Sequence, residues 1–136
     1  MIKCAWIAVV ALLTSLPASA QTAVPDFKGT WKGQSESVLL GAGNSHHPAA
    51  KDEPQMRQVP FTLVVDKQDG RRFSGTFSSP RSSEKVVAVL SRDGKIMMAD
   101  DDGYTIGSIL APNKIELCYI KPGATRIASC TELTKQ

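Results

Sequence analysis

Helical periodicity is almost absent from this sequence beyond its first twenty residues, which argues against a helical fold. No later stretch is long and apolar enough to be a transmembrane helix. An excess of one charge is lacking too. Sixteen Lys and Arg stand against thirteen Asp and Glu, interspersed along the chain, and that balance speaks against a nucleic-acid partner. There is no Gly-rich phosphate loop. No serine sits in G-x-S-x-G or S-x-x-K, so the motifs give catalysis no support and a non-enzymatic role is expected. No cofactor pattern is present. Histidine is nearly missing, with only His46 and His47, side by side.

The first feature that is present is a targeting segment. Lys3 supplies a positive start, residues 5–16 an apolar run, and Ala18-Ser19-Ala20 a small-residue cleavage site. This predicts a signal peptide over residues 1–20, leaving a single domain over 21–136 that is periplasmic or extracellular, with no membrane span after cleavage. Cys4 and Trp6 would leave with it. Cys118 and Cys130 would then meet an oxidising compartment and pair as a disulfide.

The remainder consists of short apolar or alternating runs between turn signals, the all-β pattern. Strands are predicted over residues 27–40, 60–66, 72–79, 85–91, 95–99, 104–110, 114–120 and 125–133. Glycine is placed for tight turns in Gln68-Asp69-Gly70, Arg92-Asp93-Gly94 and Asp101-Asp102-Gly103. Six of the seven connections are short and the seventh, 41–59, is long. Short connections mean antiparallel neighbours, so the expected fold is an eight-stranded up-and-down barrel, with a two-sheet sandwich as the competitor. Pairing the last two strands about Ala124 puts Cys118 directly opposite Cys130, as a cross-strand staple requires.

The first strand begins Phe27-Lys28-Gly29-Thr30-Trp31-Lys32-Gly33, and the third carries Phe73-Ser74-Gly75-Thr76-Phe77. A Gly-x-Trp on the first strand of an eight-stranded exported meander resembles the calycin superfamily, the avidins and lipocalins. The Gly-Thr-aromatic strand is similar to the avidin pattern. The resemblance implies a barrel open at one end to a small hydrophobic or amphipathic ligand. Avidins line their biotin pocket with several tryptophans, and here the mature chain would keep Trp31 alone. Lipocalins pack an arginine from near the end of the last strand on the Gly-x-Trp tryptophan. The candidate here, Arg126, starts the last strand, and residues 131–133 are expected beside Trp31.

Up-and-down topology sorts the loops by alternation. The long connection shares its end with Ser79-Pro80-Arg81-Ser82-Ser83, Asp100-Asp101-Asp102 and Lys121-Pro122-Gly123. That end is the predicted mouth, with His46, His47, Arg81, Asp100, Asp102 and Lys121 on its loops. The predicted pocket has Trp31, Phe73 and Phe77 as floor and Ser35, Ser37, Tyr104 and Tyr119 toward the rim. Adjacent residues of extended chain point opposite ways and rarely bind one ion, so His46 and His47 are expected as solvated loop residues, with a metal site of His46, His47 and Asp101 as the alternative. Asp100 to Gly103 lacks the alternate-residue spacing of a calcium loop.

Strands 85–91, 95–99 and 104–110 are apolar on both faces. This predicts an outward apolar patch for a partner protein or a second copy of the chain. The functional expectation is an exported binding barrel. A secreted or periplasmic hydrolase inhibitor acting through its loops, and a metal-dependent protein using the histidine pair, are the alternatives.

Overall fold

In a computed structural model, residues 23–136 are described. The predicted signal peptide lies outside them. The strands are β1 (Gly29–Gly41), β2 (Ala50–Asp69), β3 (Arg72–Ser78), β4 (Ser83–Leu90), β5 (Lys95–Ala99), β6 (Tyr104–Ala111), β7 (Lys114–Lys121) and β8 (Arg126–Lys135). Each pairs antiparallel with the next, and β8 pairs with β1 from Leu40↔Arg126 to Trp31↔Lys135, closing the barrel. The expected meander is therefore the fold, and closure leaves no sandwich. There is no helix among the described residues.

Closure needs β8 to lie very close to β1. Gly33 allows it: a Cβ built there would sit 1.8 Å from the Glu132 carbonyl oxygen. The expected turn glycines Gly70 and Gly94 do adopt positive φ, at 56° and 84°. Gly103 does not. Its missing side chain serves a different need, because a Cβ would fall 2.1 Å from Cε2 of Tyr119.

The long connection is shorter than expected. Residues 50–59 belong to β2, which runs alongside β1 with Val38↔Met56 and Leu39↔Gln55. Prolines 54 and 60 both fall within this strand. They are tolerated because β3 joins β2 only from Thr62↔Ser78, which leaves the earlier half of β2 with one neighbour. A missing N–H costs little on an open edge. The true loop is 42–49.

The packed core fills the short-loop end. Trp31, Leu63, Val65, Ile96, Ile115 and Leu133 are all at most 2% exposed there. Phe27 plugs the bottom, stacked on Phe73 at 4.7 Å, and its carbonyl accepts the Trp31 indole N–H at 2.8 Å. Gln68 clamps the entering chain by accepting the Phe27 N–H at 2.7 Å and donating to Pro25 O at 2.8 Å. The residue over the Trp31 ring is Lys135, its Nζ 5.5 Å from the centroid. It occupies the position expected for residues 131–133, because β8 runs further along β1 than predicted. Arg126 pairs with Leu40 at the opposite end.

The outward apolar surface is larger than strands β4 to β6. Val87, Ala99, Tyr104, Ile120, Ala128, Val38 and Met56 are successive cross-strand neighbours on seven strands, forming a belt round the barrel. Tyr104, expected in the pocket, is a member of this belt at 71% exposed. It precedes inward Thr105, and side chains alternate faces.

Cys118 and Cys130 are paired directly opposite, Cα to Cα 4.0 Å, and bonded as a disulfide. They lie on the outer face and join strands already hydrogen-bonded to each other, so the bridge acts by restricting the unfolded chain. Replacing both with alanine is expected to cost at most about 3 kcal/mol in a urea titration, with the far-ultraviolet circular dichroism spectrum retained.

Candidate functional site

Above the packed core the interior turns polar. The inward positions there are Ser35 on β1, Thr105 on β6, Tyr119 on β7, and Ser129 and Thr131 on β8, all buried except the half-buried Tyr119. Glu84 enters from the start of β4. Phe61 and Phe77 form an apolar wall, stacked at 4.6 Å. Together with Met98, Leu117 and Asp100 these groups, other than Ser35, enclose a chamber of about 30 Å³. That is room for roughly two water molecules.

The 42–49 loop folds over this chamber as a lid. Asn44 shapes it. Its side-chain oxygen accepts the N–H groups of His46 and His47 at 3.1 and 2.8 Å, and its own N–H donates to His47 O at 2.9 Å. This tight turn drives both histidines inward, to 4% and 3% exposed, where solvated rings had been expected. Neighbouring side chains need not point opposite ways here, because residues 44–47 form a turn and not extended chain. The His46 ring stands edge-on to Phe61 at 5.2 Å.

His46 latches the lid to the far rim. Its Nε2–H donates to Glu84 Oε1 at 2.7 Å, and its Nδ1 is joined to Ser79 Oγ at 2.7 Å. Hydroxyl, imidazole and carboxylate in that order invite comparison with a hydrolytic triad. Neither the Ser79 N–H nor the residue after it offers a free backbone donor at this hydroxyl. The N–H of Ser79 is spent on Ser82 O at 2.8 Å, and the following residue, Pro80, has no N–H. The arrangement ties the lid to the rim.

A second cluster braces the rim. Tyr119 donates its hydroxyl to Asp102 Oδ1 at 2.5 Å, and Lys121 donates to Asp102 Oδ2. Asp100 Oδ1 accepts the N–H groups of Asp102 and Gly103 at 3.1 and 2.8 Å. Burial opposes ionisation of Asp102, but the hydrogen bonds from Lys121 and Tyr119 outweigh it and hold its carboxyl below the usual range. Burial, then the bond to Asp102, pushes the Tyr119 hydroxyl well up. Glu84 is raised, chiefly by burial, with the His46 contact opposing and Asp100 and Asp102 adding to the rise. Burial lowers His47, helped by His46, Arg57 and Arg81.

The alternative metal set is not assembled. Asp101 is exposed at the turn, and both ring nitrogens of His46 are taken by Ser79 and Glu84. Of the expected pocket residues, Phe77 and Tyr119 line the chamber, while Trp31 and Phe73 lie in the packed core. Ser35 is buried beside it with no partner for its hydroxyl among the described residues, and Ser37 Oγ donates to Arg57 O at 3.2 Å. Of the mouth-loop residues, Lys121 and Asp102 are joined, Asp100 lines the chamber, and Arg81 is exposed beside the lid. Glu84, Ser79 and Asn44 were missed. Glu84 had a readable signal: it shares parity with inward Val86 and Leu90, and an inward carboxylate is costly without a purpose.

No family model matches the chain, and no curated protein matches it. Among solved structures it is similar to an S-type phycobiliprotein lyase from Guillardia theta, at TM-score 0.48 and 12% identity, covering 81% of this chain and 88% of that chain. A likeness this loose carries no ligand or activity across.

His47 is held toward its neutral form in the folded state. As pH falls through the ordinary histidine range, the unfolded chain takes up that proton first, so stability falls with acid. Glu84 acts oppositely and at lower pH: its raised pKa makes the folded state bind the proton first, which offsets part of the loss. Urea midpoints measured from neutral pH downward are expected to decline, and the His47→Gln variant to flatten the histidine-range part of the decline. An unchanged slope in that variant would assign the effect elsewhere.

Proposed function

We propose that the protein is an exported, non-enzymatic binding barrel that takes a small amphipathic ligand in the lidded chamber. One observation carries this reading: polar groups are buried at the mouth end of an otherwise apolar barrel. Burying polar groups lowers stability unless they are fully paired, and Ser35 Oγ and His47 Nδ1 have no partner among the described residues. A barrel with only a structural task would be capped more stably by aliphatic side chains. The latch supports access, because the lid is tied to the far rim by side chains and not by strand pairing. Export is supported by the leader pattern at residues 1–20 and by the disulfide, which persists in oxidising compartments.

The small volume of the closed chamber favours a second reading, inhibition of a hydrolase through the 79–82 turn. That turn is held by the Ser79 N–H to Ser82 O bond and by the Arg81 N–H to Ser79 Oγ bond at 3.3 Å, and it presents an exposed Arg81.

The two readings separate in a titration followed by amide nuclear magnetic resonance shifts, using short-chain alcohols, amines and carboxylates. Chamber binding predicts saturable shifts centred on Thr105, Ser129 and Thr131, weakened at least about ten-fold in a chamber-filling Ser129→Leu variant. Equal binding to both proteins, or shifts confined to the outer belt, would reject the chamber. Absence of any binding would leave the inhibitor reading.

A further inference from the structure

The chamber also specifies the charge of its guest. Resting on the binding reading above, we infer that the ligand presents a protonated primary amine, with its ammonium seated between Glu84 and Asp100. Both carboxylates line the chamber, and no lysine or arginine does. The charges of Arg57 and Arg81 reach His47, but neither residue lines the chamber. Lys121 is committed to Asp102, Arg57 donates to Gln55 Oε1 at 3.2 Å, and Arg81 is exposed on its turn.

His47 supplies an independent indication. It is 3% exposed, it lines the chamber, and its Nδ1 has no hydrogen-bond partner among the described residues. A neutral imidazole carries one acceptor nitrogen, and burial favours the neutral form here. The groups lining the chamber are thus two carboxylates, an imidazole that can carry its acceptor on the unpartnered Nδ1, and hydroxyls able to accept. A primary ammonium offers three donors and no acceptor, which complements that set. A carboxylate guest would meet like charge from Glu84 and Asp100. An alcohol would bring one donor and leave the charge of the two carboxylates uncompensated. Burial and the charges of Asp100 and Asp102 both oppose ionisation of Glu84, and a cation in the chamber relieves each of them.

The rest of the lining suits a short carbon chain. The stacked Phe61 and Phe77 rings provide an apolar wall able to meet a cation or methylene groups. The volume of about 30 Å³ holds little beyond the head group while the lid is shut. A longer chain would leave past His46, which borders both the chamber and an outer groove walled by Pro48, Met56, Pro60 and Pro80 with Arg57 and Arg81 beside them.

The test compares propylammonium, 1-propanol and propionate by amide-shift titration of the intact protein at neutral pH and low salt. The expected order is propylammonium tighter than propanol by about ten-fold or more, with propionate weakest. Glu84→Gln keeps an oxygen to accept from His46, and Asp100→Asn keeps the turn-capping oxygen, so both are expected to fold. Each should weaken propylammonium about ten-fold while leaving propanol unchanged, and Asp101→Asn, on the exposed turn, should do neither. If propanol or propionate binds in the chamber as tightly as propylammonium, the ammonium inference is overturned and the binding reading survives. If none of the three binds, both fall together.

Discussion

Closure of the sheet is the constraint on which everything else depends. Eight strands joined by short connections still leave two edges, and an edge is a row of unpaired backbone groups. Here β8 covers the edge of β1 along ten residue pairs, from Leu40↔Arg126 to Trp31↔Lys135. The close approach at Gly33 is what permits that cover, since any side chain there would meet the Glu132 carbonyl. Once the ring is shut, inward and outward faces are settled on every strand. The interior becomes a volume of limited width that side chains nearly fill.

That volume is divided. Toward the short loops it is apolar and closely packed around Trp31, and Phe27 and Lys135 seal its base. Toward the long loops it holds hydroxyls, imidazoles and a carboxylate whose ionisation burial resists. The apolar half supplies the stability that lets the polar half carry unpaired groups. The lid belongs to the polar half in its chemistry. It is anchored by one imidazole between Ser79 and Glu84.

Much of the architecture was legible beforehand because it rests on local rules. Period-two alternation and turn glycines located the strands, and the hairpin about Ala124 set Cys118 against Cys130. The site was less legible. Glu84 was assigned to a connection because it stands next to Ser82 and Ser83, although its parity with Val86 pointed inward. His46 and His47 were expected in solvent because they sit on the long connection and, in extended chain, neighbouring rings would not converge on one site. The carbonyl-and-amide turn around Asn44 reversed that placement. Residues 50–59 read as part of the long connection because they show little regular pattern, and the pairing of β2 that orders them is a property of the whole barrel.

The sequence by itself determined the all-β meander, the pairing of the last hairpin and the end at which the longest loop would lie. Those follow from alternation and turn chemistry, which act between residues near one another in the chain. Only the tertiary structure decided that His46 meets Glu84 and Ser79, 38 and 33 positions away, and that Tyr119 reaches Asp102 past a glycine. Contacts of that kind require the ring to close first. Their partners are chosen by which loops the closed barrel gathers at its mouth, and no local pattern encodes that choice.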